Sequence, residues 1–152
     1  MNNPVAISVL ARERLTEAAI LHQNGKSDGA FYLAGYSVEL MLKAKICERF
    51  GVPNLFDEQN QSGNIIPGIS EIRRAVKTHN LDVLLTSASL RFAFNTDKQT
   101  NVHLLKASAL LFGNWDESSR YRSVGSATWQ DMNEIINLLT APDGLLEWIQ
   151  QQ

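Results

Sequence analysis

Three observations predict an all-α fold for this chain. Apolar residues recur at helical spacing through most of its length. Cap and stop residues bracket each periodic stretch, and no run alternates with the period of two that a strand needs. The expected architecture is an up-and-down bundle of about five helices, in a single domain spanning residues 1–152.

The first helix starts after Asn3-Pro4, a cap followed by proline in the first turn. Ile7, Leu10, Ala11, Leu15, Ala18 and Leu21 share one arc, Arg12, Glu13, Glu17 and Gln23 lie off it, and Asn24-Gly25 stops the helix. His22 falls within the apolar arc and reads as a packed, hydrogen-bonded side chain. The second helix, capped by Ser27 or Asp28, runs to Gly51, and Pro53 reinforces the stop. Its residues Phe31, Ala34, Gly35, Val38, Leu42 and Ile46 form one stripe, with Leu33, Leu40, Ala44 and Cys47 roughly opposite. A helix apolar on two sides is buried on two sides, so it belongs at the centre of a bundle or against a partner. Gly35 admits a close helix neighbour, and Glu39 and Lys43 stand in the favourable i, i+4 order for an ion pair.

Residues 52–69 carry Pro53, Gly63, Pro67 and Gly68 without a period and read as a long loop. A short helix from Ser70 to Lys77 follows, then a second run around Leu81, Leu84, Leu85 and Ala88, with the junction at Thr78–Asn80 open between continuation and break. Residues 91–100 read as a connection with Phe92 and Phe94 tucked under it. A helix capped by Thr100 or Asn101 runs to Phe112, stopped by Gly113-Asn114. A polar aromatic segment follows from Trp115. The last helix starts near Ala127, is interrupted at Ala141–Gly144, and leaves a short terminal helix over LLEWIQQ.

Composition narrows the function. A net charge of −2, from 14 Lys+Arg against 16 Asp+Glu, is no bulk polycation, so nucleic-acid contact needs a local basic patch. One cysteine allows no internal disulfide and fits a reducing, cytoplasmic setting. The N-terminus is broken by Arg12, Glu13 and Arg14 before a signal-peptide core develops, and no window holds the ~18 apolar residues of a membrane span. His22, His79 and His103 have no ligand partners at helical spacing, so no metal is expected, and no phosphate-loop motif implies a cofactor. Cys47 lies inside an apolar helix, not in the electropositive setting of a nucleophile.

Three features carry possible chemistry. Arg73-Arg74-Ala75-Val76-Lys77-Thr78-His79 is either a solvated helix face or a phosphate grip beside an acid–base histidine. In the stretch Asn114–Arg122, Trp115 and Tyr121 either stack on a base or join the core, and Arg120 either grips a phosphate or pairs with Glu117. Glu39 with Lys43 is either a costly buried pair or a plain surface pair.

The stretch Ala30-Phe31-Tyr32-Leu33-Ala34-Gly35-Tyr36-Ser37-Val38-Glu39-Leu40-Met41-Leu42-Lys43-Ala44 resembles the central helix of HEPN domains, the "higher eukaryote and prokaryote nucleotide-binding" superfamily. Thr78-His79-Asn80-Leu81 resembles the family's His-Asp/Asn-Leu segment, and Arg120-Tyr121 its late Arg-Tyr pair, in the expected order. The resemblance runs from the first helix to about residue 140. It implies a HEPN-like helical bundle, often a homodimer. It also implies partnership with a nucleotide, RNA or a nucleotidyltransferase in bacterial defence or toxin–antitoxin systems. On it, Glu39, Lys43, Arg73, His79, Arg120 and Tyr121 are the ligand-binding candidates. Many members are ribonucleases whose arginine and histidine are separated by four to six residues, which makes Arg74 and His79 the catalytic candidates; Arg73 also satisfies the spacing. Arg74 is followed by Ala75 where the nucleases carry a polar residue, so the resemblance favours binding over cutting.

Overall fold

The computed structural model describes residues 3–57 and 66–152, and among them the regular structure is entirely helical. The helices are α1 (Pro4–Gln23), α2 (Ser27–Phe50), α3 (Ile69–Val76), α4 (Leu81–Ser87), α5 (Arg91–Asp97), α6 (Val102–Leu110), α7 (Trp129–Thr140) and α8 (Leu145–Gln151), with a 3-10 helix at Glu117–Tyr121. The all-α class stands. The expected five helices become eight α-helices among the described residues, because short polar turns divide the second half of the chain more finely than its periodicity indicates.

α1 and α2 form a helical hairpin, the most extensively packed pair in the molecule. Asn3 caps α1, its side chain accepting from the Ala6 N–H at 2.8 Å. The link between the helices is only Asn24–Lys26. The Lys26 N–H closes on the Leu21 carbonyl at 2.9 Å. Neither Ser27 nor Asp28 caps α2: Lys26 occupies that place, and Asp28 lies in the first turn with its carboxylate turned elsewhere. Gly51 ends the helix at φ 66°, the left-handed conformation that glycine adopts without cost.

α2 is the central helix. α1, α4, α7, α8 and the 3-10 helix all lie against it, so both of its apolar sides are covered by its own chain. His22 is buried as expected and stacks on Trp129 with ring centroids 5.1 Å apart. Its Nδ1 has no hydrogen-bond partner, so the expected hydrogen bond is not made there. Gly35 is approached closely by the Trp115 indole, where a helix was expected. A Cβ at position 35 would lie 2.2 Å from Trp115 Cδ1. The indole Nε1–H donates to the Tyr32 carbonyl at 3.0 Å, which satisfies its one polar group in the core.

The 52–69 loop is described at 52–57 and 66–68, with Ile69 already in α3; residues 58–65 and the Gly63 expectation lie outside the described residues. The helix does break at Thr78–Asn80. Asn80 caps α4, its side chain accepting from the Asp82 and Val83 N–H groups at 2.9 and 3.1 Å. The stretch expected as a connection at 91–100 is mostly α5, seven residues long, with Phe94 in the core against Phe112 and Trp148. Phe92 is 85% exposed, not tucked under: only one side of so short a helix faces inward. α8 packs against α2 and α7 and is tied by side chains to α1 and α2, with Arg12 on Glu147 at 2.9 Å and Lys45 donating to the Gln150 carbonyl at 3.2 Å.

Among the described residues, no helix is long and apolar enough to cross a membrane. Cys47 is buried, and burial pushes its thiol above the ordinary value, which removes the thiolate a nucleophile needs.

Candidate functional site

The middle of α2 carries a charge where the core would be expected to continue. Glu39 is 1% exposed, and an isolated carboxylate at that depth is strongly disfavoured. Two side chains answer it. Lys43, one turn on, reaches Glu39 Oε1 at 2.6 Å. His79, delivered by the break between α3 and α4, places Nδ1 3.0 Å from both carboxylate oxygens. The pair is therefore the buried kind, held by a third group from a different part of the chain.

The arrangement continues outward. His79 Nε2 lies 3.1 Å from Glu117 Oε2 on the 3-10 helix. Imidazole with one N–H serves one carboxylate; serving both requires a proton on each nitrogen. His79 is thus strung between a buried carboxylate and a half-exposed one, with 47% of its own side chain in solvent. The inner bond fixes the ring plane, so the outer nitrogen is presented in one direction.

These groups line a cleft of roughly 410 Å³ bounded by Ile7, Tyr36, Leu40, Asn54, Phe56 and Asp57, with Glu39, Lys43 and His79. The Lys43 ammonium stands 4.9 Å from the Phe56 ring centroid, a cation–π contact on the cleft wall. Tyr36 stacks with Tyr32 at 6.3 Å. Burial, and after it the neighbouring Glu39 carboxylate, push the Tyr36 phenol above its ordinary value, so it stays a neutral donor at physiological pH. A larger cleft of roughly 700 Å³ lies between α1 and the α7–α8 corner. Its arginine, Arg12, is already committed to Glu147 and Gln150, so it gathers no comparable set of polar groups.

The remaining sequence candidates fall into two groups. Arg120 and Tyr121 do not touch Glu39. Arg120 is fully exposed and stands 4.9 Å over the 77%-exposed Tyr121 ring, and the Tyr121 phenol beside it holds the guanidinium above its ordinary value. They are nevertheless on the same 3-10 helix as Glu117, at the edge of the site. Arg73 and Arg74 stand apart. Arg73 Nε donates to the Leu55 carbonyl at 2.8 Å and ties α3 to the 52–57 segment. Arg74 is exposed on α3 and forms no hydrogen bond or ion pair with His79. Trp115 joins the core; it does not offer a stacking face.

Sequence reasoning missed Phe56, Tyr36 and Glu117 as parts of the site. Phe56 sits in a loop with no periodic signal, and Tyr36 belongs to neither apolar stripe of the second helix. Glu117 enters the sequence reading only as one of two alternatives for Arg120, the other a phosphate, yet its partner in the structure is His79. No group of three or more His, Cys, Asp and Glu residues with metal-binding geometry occurs among the described residues. In class, then, the molecule is a helical domain with a charged cleft beside its central helix. Comparison with known family models, with curated proteins and with solved structures finds no match to this chain.

Proposed function

We propose that this is a HEPN-type helical domain that binds a nucleotide or RNA at the Glu39–Lys43–His79 cleft. On this reading it works in the cytoplasm, in a bacterial defence or toxin–antitoxin setting, with a nucleotidyltransferase as a fitting partner protein. One observation carries the reading. The three short segments on which the resemblance rests lie far apart in sequence. Two of them meet at one cleft, Glu39 and Lys43 from α2 and His79 from the α3–α4 junction, and the third, the 3-10 helix bearing Arg120 and Tyr121, borders it through Glu117. A buried carboxylate held by a half-exposed histidine is a costly arrangement of the kind that gathers at functional sites. Homodimerisation belongs to the same proposal. Its support is the exposed Val102 and Leu105 on α6 rather than α2, whose two apolar sides are covered from within.

The alternative is a metal-independent ribonuclease using Arg74 and His79. It is favoured by the Glu39 carboxylate on Nδ1, the arrangement that orients an acid–base imidazole. Against it, Arg74 makes no bond to His79 and Glu117 occupies the outer ring nitrogen. The test uses the full chain with AMP and with a short single-stranded RNA, by calorimetry and fluorescence anisotropy, alongside a metal-free RNA cleavage assay. We expect binding without cleavage, weakening steadily with salt. Lys43→Ala and His79→Ala should each lower affinity about tenfold, on the order of one charge-assisted contact, with helical content retained by circular dichroism. Cleavage abolished by both Arg74→Ala and His79→Ala would establish the alternative. Neither binding nor cleavage would leave the partner-protein reading.

A further inference from the structure

The outer edge of His79 already holds an anion, and that anion belongs to the protein. Glu117 Oε2 sits 3.1 Å from Nε2, with both side chains about half in solvent. The inner edge is clamped: Nδ1 lies 3.0 Å from both oxygens of Glu39, itself neutralised by Lys43 at 2.6 Å. The ring therefore cannot turn away without breaking the inner contact, and Nε2 remains aimed at whatever oxygen stands outside.

Glu117 begins the 3-10 helix Glu117–Tyr121. In that geometry side chains three residues apart eclipse one another, which puts Arg120 on the same side as Glu117. Arg120 is exposed and makes no ion pair with a carboxylate among the described residues; its partners are Tyr121, whose ring it overlies, and Tyr32. His79 Nε2 thus faces one carboxylate at the rim of the cleft, and the Arg120 guanidinium, held only by tyrosines, stands one turn on along the same 3-10 helix. A phosphate oxygen offers the same acceptor geometry as that carboxylate and more charge.

We propose that the Glu117 carboxylate is an internal stand-in for a ligand phosphate, occupying the anion position on His79 and displaced when a phosphate group binds between His79 Nε2 and Arg120. The inference rests on the nucleotide or RNA reading above and adds to it the group recognised and the competitor. It makes an unusual demand. Removing Glu117, which touches the proposed site, should tighten binding, whereas a carboxylate that contributes contacts would weaken it on removal.

The experiment follows the His79 ring carbon–proton resonance of the labelled full chain, assigned by its loss in His79→Ala. Wild type, Glu117→Gln and Glu117→Ala are titrated with inorganic phosphate, AMP and a short single-stranded RNA. Circular dichroism checks that each variant keeps its helices. The expected result is a saturating shift of the His79 resonance, with a Kd about two- to fivefold lower in both Glu117 variants, the size of one exposed ion pair released. A response to phosphate and AMP assigns the site to a terminal phosphate, and a response to RNA alone assigns it to a backbone phosphodiester. Equal or weaker binding in the Glu117 variants overturns the proposal. So does RNA binding seen by anisotropy with the His79 resonance unmoved, and in that case the binding reading itself survives. No binding of any probe to any variant overturns both.

Discussion

Two of the three carboxylates on α2, Asp28 and Glu39, solve the same problem in opposite ways. Asp28, in its first turn, lies near the surface and is held by backbone: it accepts from the Ala127 N–H at 2.9 Å and the Gly125 N–H at 2.7 Å. Glu39, three turns on, is buried and held by side chains, Lys43 and His79. Asp28 fastens a loop with both of its oxygens, one on each N–H. Glu39 depends on two particular residues, and they on it. The contrast separates a carboxylate that serves the fold from one whose partners reach solvent and so can be shared with a ligand.

The largest effect should come from breaking the buried set. Glu39→Ala leaves the Lys43 ammonium, 13% exposed, without its counter-charge and frees the His79 ring. We expect a loss of about 3 kcal/mol, as for one partner removed from a buried pair, and a Tm lower by roughly 6–12 °C. A melt within about 1 °C of wild type would mean that water already reaches Glu39 and that burial is not what selects its partners.

Gly35→Ala should come next. The new methyl would meet the Trp115 ring at 2.2 Å, and the ring is buried and bonded to the Tyr32 carbonyl. Overpacking of this kind costs about 1–3 kcal/mol, offset by ~1 kcal/mol of helix propensity gained. Near-ultraviolet circular dichroism should show the Trp115 band altered; an unchanged band with unchanged stability would show that the indole has another place to go.

Asp28→Asn should be the mildest, below about 1 kcal/mol once solvent screening is allowed for. Its pH dependence sharpens the comparison. The Ala127 N–H, and then the Gly125 N–H, hold the Asp28 carboxyl below its ordinary range. A depressed folded value means that the stabilisation is fully present above the unfolded value, about pH 4, and is lost as pH falls through the lower folded value. Protection factors of the Gly125 and Ala127 amides, taken against the intrinsic exchange rate at each pH, should fall below about pH 4 in wild type, and be low at all pH values in Asp28→Asn. Protection that is insensitive to both changes would show that the loop is fastened elsewhere.

Much of the fold could be read from the sequence where periodicity is long. The α1–α2 hairpin, its turn at Asn24-Gly25 and its stop at Gly51 all follow from spacing and caps. α5 could not be read, because seven residues offer one inward position, Phe94, and polar Asn95, Thr96 and Asp97 mimic a connection. In the candidate site, Glu39 with Lys43 was visible as an i, i+4 pair, but its burial was not, since a helix wheel does not show what covers it. That His79 joins them across 40 positions is tertiary information with no local signature. The basic cluster misled for the same reason. Arg73 and Arg74 are neighbours of His79 in sequence, yet the break at Thr78–Asn80 turns the histidine toward α2 and leaves them on α3.

The notch at Gly35 also acts as a locating key. Trp115 enters α2 at the one position along its face that lacks a Cβ. A slide of one helical turn would set the indole against Phe31 or Glu39, neither of which leaves room for it. The 3-10 helix beginning two residues later is therefore docked in a single register, and Glu117 meets His79 because an indole ring has found its slot. Alignment of the charged groups is thereby delegated to an apolar contact that touches none of them. A change confined to that contact would leave every charge in the chain and still put them out of step.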